Sequence, residues 1–228
     1  MSLLSSLLSN CLRNTISDDT DHLLGNACER PWGLIAITDR ATQKQGLEDS
    51  VLKRCPVAHV SAKHDDYTIV LLPYAEIDHF IEESIGKEAE SYRIAISLPF
   101  NDASVIPQQY GLITYCLETG ERTYEVTSQE RALDYLKHKI LESVSVNGLL
   151  HPALDKLRSY DRSNQSDMLE TLKVYLDNDR NAQRCANMLY LHRNSLQYRV
   201  RRIQEIAGID LDDPNERAYL RLSRLLSS

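Results

Sequence analysis

The sequence predicts an α+β chain: an N-terminal α/β sandwich with a mostly antiparallel sheet, followed by an all-α domain. Three observations predict it. Short β-branched runs alternate with stretches of helical spacing between residues 31 and 126. The strand signal stops after Ser128. From there the chain reads as helices separated by short turns, several with recognisable ends.

Taken in order, residues 3–12 form a short amphipathic helix and the polar stretch 14–21 a linker. Residues 32–38 are apolar and β-branched, as in a strand buried on both faces. Strand-like runs follow at 57–60 and 68–72, with Lys63-His64-Asp65-Asp66 as the hairpin turn and Pro73 ending the second run. Apolar residues at 77, 80, 81 and 85 give a helix over 76–85 that Gly86 stops. Residues 92–98 are a fourth strand, 107–117 a helix ending at Gly120, and 122–126 an edge strand. Residues 129–143 and 149–160 are helical, and the Ser, Asn, Asp and Gln cluster at 161–166 marks a boundary. The expected division is 1–30 for the N-terminal helix and linker, 31–127 for the α/β domain, 128–165 for connecting helices and 166–228 for the final domain.

Composition narrows the function. With 42% hydrophobic and 26% charged residues the chain belongs to the soluble globular class. Its net charge of −7 excludes a protein that coats nucleic acid throughout, but what matters for docking is the local field. Between Arg184 and Glu205, five arginines face a single glutamate, so this stretch carries +4 and the rest of the chain −11. Five cysteines without paired spacing suit reduced thiols in a cytoplasmic protein, and they suggest neither a disulfide framework nor a zinc site. No metal, cofactor or catalytic residue is expected. Residues 1–13 lack the basic start and apolar length of a signal peptide. No run approaches the roughly 20 apolar residues needed to span a bilayer, so no membrane partner is expected.

The tail carries the chemistry. Asp167-x-x-Glu170 opens one helix as a capping-box variant, Asn181 caps a second, residues 193–206 form a third ended by Gly208, and Asp213-Pro214-x-Glu216 opens a fourth. Ala182, Cys185 and Ala186 are small enough for two helices joined by a tight turn to approach closely, as in a helix-turn-helix. Leu196, Val200, Ile203 and Ala207 define the buried stripe of the third helix. At 100° per residue the other side presents Asn194, Ser195, Tyr198, Arg201, Arg202 and Glu205, flanked by Gln197 and Arg193. Asn and Gln bond adenine, Arg bonds guanine or phosphate, and such a face fits the major groove of double-stranded DNA. A solvated face on an ordinary bundle helix has the same composition.

Residues 149–226 resemble the C-terminal region of the PucR/CdaR family of purine-catabolism and sugar-diacid regulators. The resemblance is carried by Leu150-His151-Pro152-Ala153-Leu154, by Leu157 with Tyr160-Asp161, and by Leu169-x-Thr171-Leu172-x-x-Tyr175-Leu176. It continues through Asn181, Ala186-x-x-Leu189, the run His192-Arg193-Asn194-Ser195-Leu196-Gln197-Tyr198-Arg199-Val200-x-Arg202-Ile203, and Gly208-x-Asp210-Leu211. Ser195 stands where the family usually has threonine, and Cys185 where a small or hydroxyl residue is common. The resemblance implies transcriptional control through a helix-turn-helix DNA-binding domain at 166–228, acting as a homodimer under an unknown small-molecule effector. It assigns Arg193, Tyr198, Arg199 and Arg202 to phosphate contacts or packing. Asn194, Ser195 and Gln197 are left to read bases, with Gln197 the specificity position and Arg201 a further phosphate ligand. Arg217, Arg221 and Arg224 form a basic stripe on the last helix, open to phosphate, solvent or a dimer partner.

Residues 31–126 resemble a degenerate GGDEF-like domain, with Lys63-His64-Asp65-Asp66-Tyr67 where a nucleotide cyclase carries its glycine-bearing hairpin. Both glycines are absent, so the resemblance implies a scaffold for dimerisation or signal relay and no enzyme. Relatives of this type carry a separate sensory domain ahead of this region. Here the front domain is the sensor, or another subunit supplies the signal, or the chain is a fragment. Two rival readings stand beside the regulator. One is a nucleotide- or small-ligand-binding protein using Asp39 and the hairpin. The other is an adaptor whose arginine face binds an acidic protein.

Overall fold

The computed structural model describes residues 3–15, 20–39, 52, 57–86, 91–120, 126–146 and 148–227. The chain divides into two compact units, Met1–Leu136 and Lys137–Ser228.

The first unit is built on a five-stranded sheet in the order β2-β3-β1-β4-β5, formed by β1 (Trp32–Asp39), β2 (Val60–His64), β3 (Tyr67–Pro73), β4 (Tyr92–Ile96) and β5 (Val126–Thr127). All pairings are antiparallel except β4 with β5. Strand β1 lies between β3 and β4, and an apolar cluster covers each of its faces. Trp32, Leu34 and Ala36 enter one apolar cluster, while Ile35 and Ile37 enter the other. Strand β3 sorts in the same way, Ile69 and Leu71 against Val70 and Leu72. This two-residue alternation is why 32–38 reads as an unbroken apolar run. Helices α1 (Leu3–Leu12), α2 (Thr20–Ala27) and α4 (Ile106–Thr119) supply the first cluster. The second is closed by α3, Ile77–Phe80 between a 3₁₀ turn (Tyr74–Glu76) and a π turn (Ile81–Ile85).

Several expectations shift. The linker expected at 14–21 gives way at Thr20 to α2, where Thr20 and Leu24, followed by Cys28, bury one residue per turn, too sparse a stripe to read as a helix; residues 16–19 lie outside the described residues. Asp21 Oδ1 accepts from the Ala103 amide at 2.9 Å and pins α2 in place. The strand expected at 57–60 is displaced to 60–64. It is an edge strand, burying only Val60 and Ala62 and turning Lys63 to solvent, so its polar residues read as turn. The hairpin itself is only Asp65-Asp66, with Asp65 at φ 51°. Of the edge strand expected at 122–126, residues 122–125 lie outside the described residues, and Val126 pairs with Ala95.

Cys11, Cys28, Cys116 and Cys185 are free and buried. Burial pushes the Cys11 and Cys28 thiols up to about 11, where they stay protonated at neutral pH. An aromatic disulfide reagent at pH 8 should therefore leave these four unmodified in the native chain and modify them all in denaturant. Rapid native labelling of any of the four, located by peptide mapping, would contradict this packing.

The second unit is all helix: α6 (Ala153–Asn164), α7 (Met168–Asp177), α8 (Ala182–Met188), α9 (Arg193–Ala207) and α10 (Pro214–Ser227), with the unit division falling inside α5 (Ser128–Ser143). Helix α6 starts four residues later than the expected 149 and runs through the polar cluster to Asn164, so 161–166 forms its last turn and the corner into α7. The cluster is polar because it caps. Asp161 accepts from the amides of Met168 and Leu169 at 2.8 and 2.9 Å and from Ser166 Oγ at 2.6 Å. Asp167, the expected cap, makes no side-chain capping bond.

Candidate nucleic-acid interface

The candidate interface is assembled by α7, α8 and α9. Asn181 caps α8, its side chain accepting from the Arg184 amide at 3.0 Å. Cys185 and Ala186 are buried against Leu196 and Val174, so α8 and α9 approach through small side chains as expected. The turn between them, 189–192, is closed by the Leu191 amide donating to Ala186 O at 2.8 Å. His192 caps α9 through Nδ1, which accepts from the Asn194 amide at 3.2 Å. Gly208 ends the helix at φ 70°, a left-handed conformation that glycine adopts without strain. Along α9, Leu196, Ile203 and Ala207 are buried and Val200 is half-buried, matching the expected stripe.

The polar residues of α9 separate into two sets. Arg193, Asn194, Ser195, Gln197, Tyr198 and Arg201 are exposed, Tyr198 to 67%. Arg199 and Arg202 are half-buried. Arg199 Nη1 donates to Thr171 Oγ1 at 3.2 Å and braces α9 on α7. Arg202 donates to Glu205 Oε2 at 2.9 Å and its guanidinium lies 5.7 Å from the centre of the Tyr160 ring. Gln197 and Arg201 also border a cleft of about 210 Å³ with Tyr175, Ala182, Leu196 and Val200. Gln197 therefore sits on the flank of the helix facing α7 and α8. Among the described residues, the guanidinium groups of Arg184, Arg193 and Arg201 have neither an ion pair nor a hydrogen bond.

The basic stripe of α10 is not a free surface. Arg217 Nη1 donates to the carbonyls of Leu211 and Asp212 at 2.9 and 2.7 Å. Arg221 Nη2 reaches Leu176 O and, at 2.9 Å, Asp179 Oδ1, while Arg224 pairs with Asp177. Arg180 closes the same latch from the other side, donating to Asp212 Oδ1 at 2.6 Å. Arg221 thus satisfies a carbonyl that the end of α7 leaves open, and Arg217 those of the loop between α9 and α10. Helical spacing predicts a stripe but not what faces it.

Glu216, expected to complete a capping box, instead meets His151. His151 Nε2 and Glu216 Oε1 are 3.0 Å apart, and Nδ1 accepts from the Ala153 amide at 3.1 Å. The His151 amide donates to Ser223 Oγ at 2.8 Å, joining the approach to α6 to α10. Asp213 does act as the expected cap, accepting from the Asn215 amide at 2.8 Å.

In the first unit, the hairpin carboxylate expected at the degenerate nucleotide site is engaged within the fold. Tyr110 donates to Asp65 Oδ2 at 2.7 Å, and burial, then this carboxylate, pushes the Tyr110 phenol well above its ordinary value. Among the described residues no cluster of three or more acidic, His or Cys side chains could hold a metal, and no helix is long and apolar enough to cross a membrane.

Two helices joined by a short turn, the second buried on one side and polar on the other, define a helix-turn-helix unit. Residues 168–226 match the PucR C-terminal helix-turn-helix domain. The chain is 31% identical over 159 residues to the DNA-binding transcriptional activator AdeR of Bacillus subtilis (strain 168), covering 64% of this chain and 37% of that protein. It is 36% identical over 204 residues to the proline-responsive transcriptional activator PutR of the same organism, covering 80% and 49%. It is 32% identical over 93 residues to the purine catabolism regulatory protein of that organism, covering 39% and 17%. The chain thus matches half or less of the length of these relatives.

Proposed function

We propose that this chain is a sequence-specific DNA-binding transcriptional regulator that places α9 in the major groove and acts as a cytoplasmic homodimer. The observation that carries the reading is the sorting of arginines. Arg199, Arg202, Arg217, Arg221 and Arg224 are engaged within the fold, while Arg184, Arg193 and Arg201 remain open on α8 and α9. Open arginines on and beside the exposed face of such a helix suit phosphate, as does the exposed Tyr198, and Asn194, Ser195 and Gln197 suit base edges. Two relatives are named as transcriptional activators, which favours activation as the output, triggered by a small-molecule effector. The front unit serves as a non-catalytic scaffold for dimerisation or relay, a role favoured by the Tyr110 hydrogen bond to Asp65.

Selection from a random duplex library at one fixed salt concentration tests the reading. Enrichment of paired half-sites about 10–10.5 base pairs apart, or a multiple of that spacing, is the expected result, because a dimer meets one groove face per helical turn. Gln197→Ala should alter the enriched bases. Equal weakening on every duplex would remove Gln197 as a reader, and a library without enrichment would sink the proposed function.

A further inference from the structure

Tyr190 occupies the turn that delivers α9, and by three measures it contributes nothing to the fold. It is 97% exposed, so it buries almost no apolar surface. Among the described residues its side chain has no hydrogen bond, ion pair or ring contact; only its backbone amide is engaged, donating to Asn187 O at 3.2 Å. Its φ of 55° lies in the left-handed region, where glycine is unstrained and a bulky aromatic residue is disfavoured. A side chain that neither packs nor bonds nor suits its backbone is best explained by what it meets outside the chain.

We propose that Tyr190 is a backbone contact to DNA, its hydroxyl donating to a phosphate oxygen on the wall of the groove that α9 enters. This rests on the reading of α9 as the groove helix. Reach supports it. Tyr190 lies three positions before Arg193, at most about 11 Å of chain. A helix about 10–12 Å across fills a major groove about 12 Å wide, so a side chain in the turn just before its first residue has the phosphate wall within reach. Tyrosine hydroxyls are among the side-chain groups that contact phosphate, and a bond from O–H to an anionic oxygen is short and strong. Arg184 and Arg193, exposed on either side of the turn in sequence, supply positive charge to the same wall.

The test uses the full chain, the best duplex from the library and a scrambled duplex. Tyr190→Phe removes only the hydroxyl, and should weaken both duplexes about tenfold with the salt slope unchanged, since no charge is lost. Tyr190→Gly should weaken them at least as much while its melting temperature equals or exceeds the parent's, because glycine relieves the left-handed backbone. Both variants binding within twofold of a parent that does bind would overturn the contact. Unchanged binding with lost transcription in the presence of polymerase would overturn it in favour of a protein partner. A parent that enriches no duplex would overturn this inference and the proposed function together.

Discussion

The double variant Arg193→Ala/Arg201→Ala is expected to bind every duplex about a hundredfold more weakly than the parent near 0.15 M salt. The estimate takes about 1.4 kcal/mol for each lost charge-assisted contact. It should also flatten the plot of log affinity against log salt by about 2, at roughly 0.9 per lost phosphate contact. Because both side chains are exposed and have no intramolecular partner among the described residues, thermal stability should hardly change. The informative control is Arg199→Ala/Arg202→Ala, which removes the same charge from the same helix. Those arginines brace α9 against Thr171 and stack beside Tyr160, so that pair should lower the melting temperature and leave most of the salt slope intact. Fluorescence anisotropy at four or five salt concentrations separates the outcomes. If both doubles flatten the slope equally, the division of the arginines into open and engaged sets is wrong.

Asp161→Ala should destabilise the second unit by about 2–3 kcal/mol, the range for losing a helix cap whose carboxylate is charged and multiply bonded. One side chain accepts from two amides of the first turn of α7 and from Ser166 Oγ, so its removal strands donors that no neighbour replaces. For a unit of this size the melting temperature should fall by about 10 °C or more. Asp167→Ala, six residues along, should cost far less, because Asp167 makes no capping bond through its side chain. Urea unfolding of both variants decides it. Equal losses would show that Asp161 does not cap α7.

How much was legible follows from where the information resides. Helix α9 was readable because a burial stripe recurs with the helical period and glycine marks its end, both properties of the chain alone. Strand β1 was readable because a central strand is apolar on both faces, whereas the edge strand β2 hides its two buried residues among polar ones. The cap of α7 was misplaced because Asp161 and Asp167 have identical chemistry, and only the corner between α6 and α7 selects one. Arg202 shows the same limit of the sequence. A helical wheel places Arg202 on the outward side, but Tyr160 and Glu205, which engage it, come from another helix and from one turn further along. The positions at Arg193, Asn194 and Arg201 are exposed, in agreement with the wheel.

The link from His151 to Ser223 has a consequence for synthesis. It joins residues 72 apart, so the bundle of α6 to α10 closes only when the approach to α6 meets α10. A chain emerging in order must hold α6 to α9, with the apolar cluster that Leu220 completes still open, until α10 has been made. Folding of this unit is then set by its latest-synthesised helix, and a nascent chain halted before residue 214 would present a sticky, incomplete bundle. The same closure places the approach to α6 beside the last turns of α10, which marks 151 and 223 as neighbouring points for joining or reopening the chain in a circular permutation.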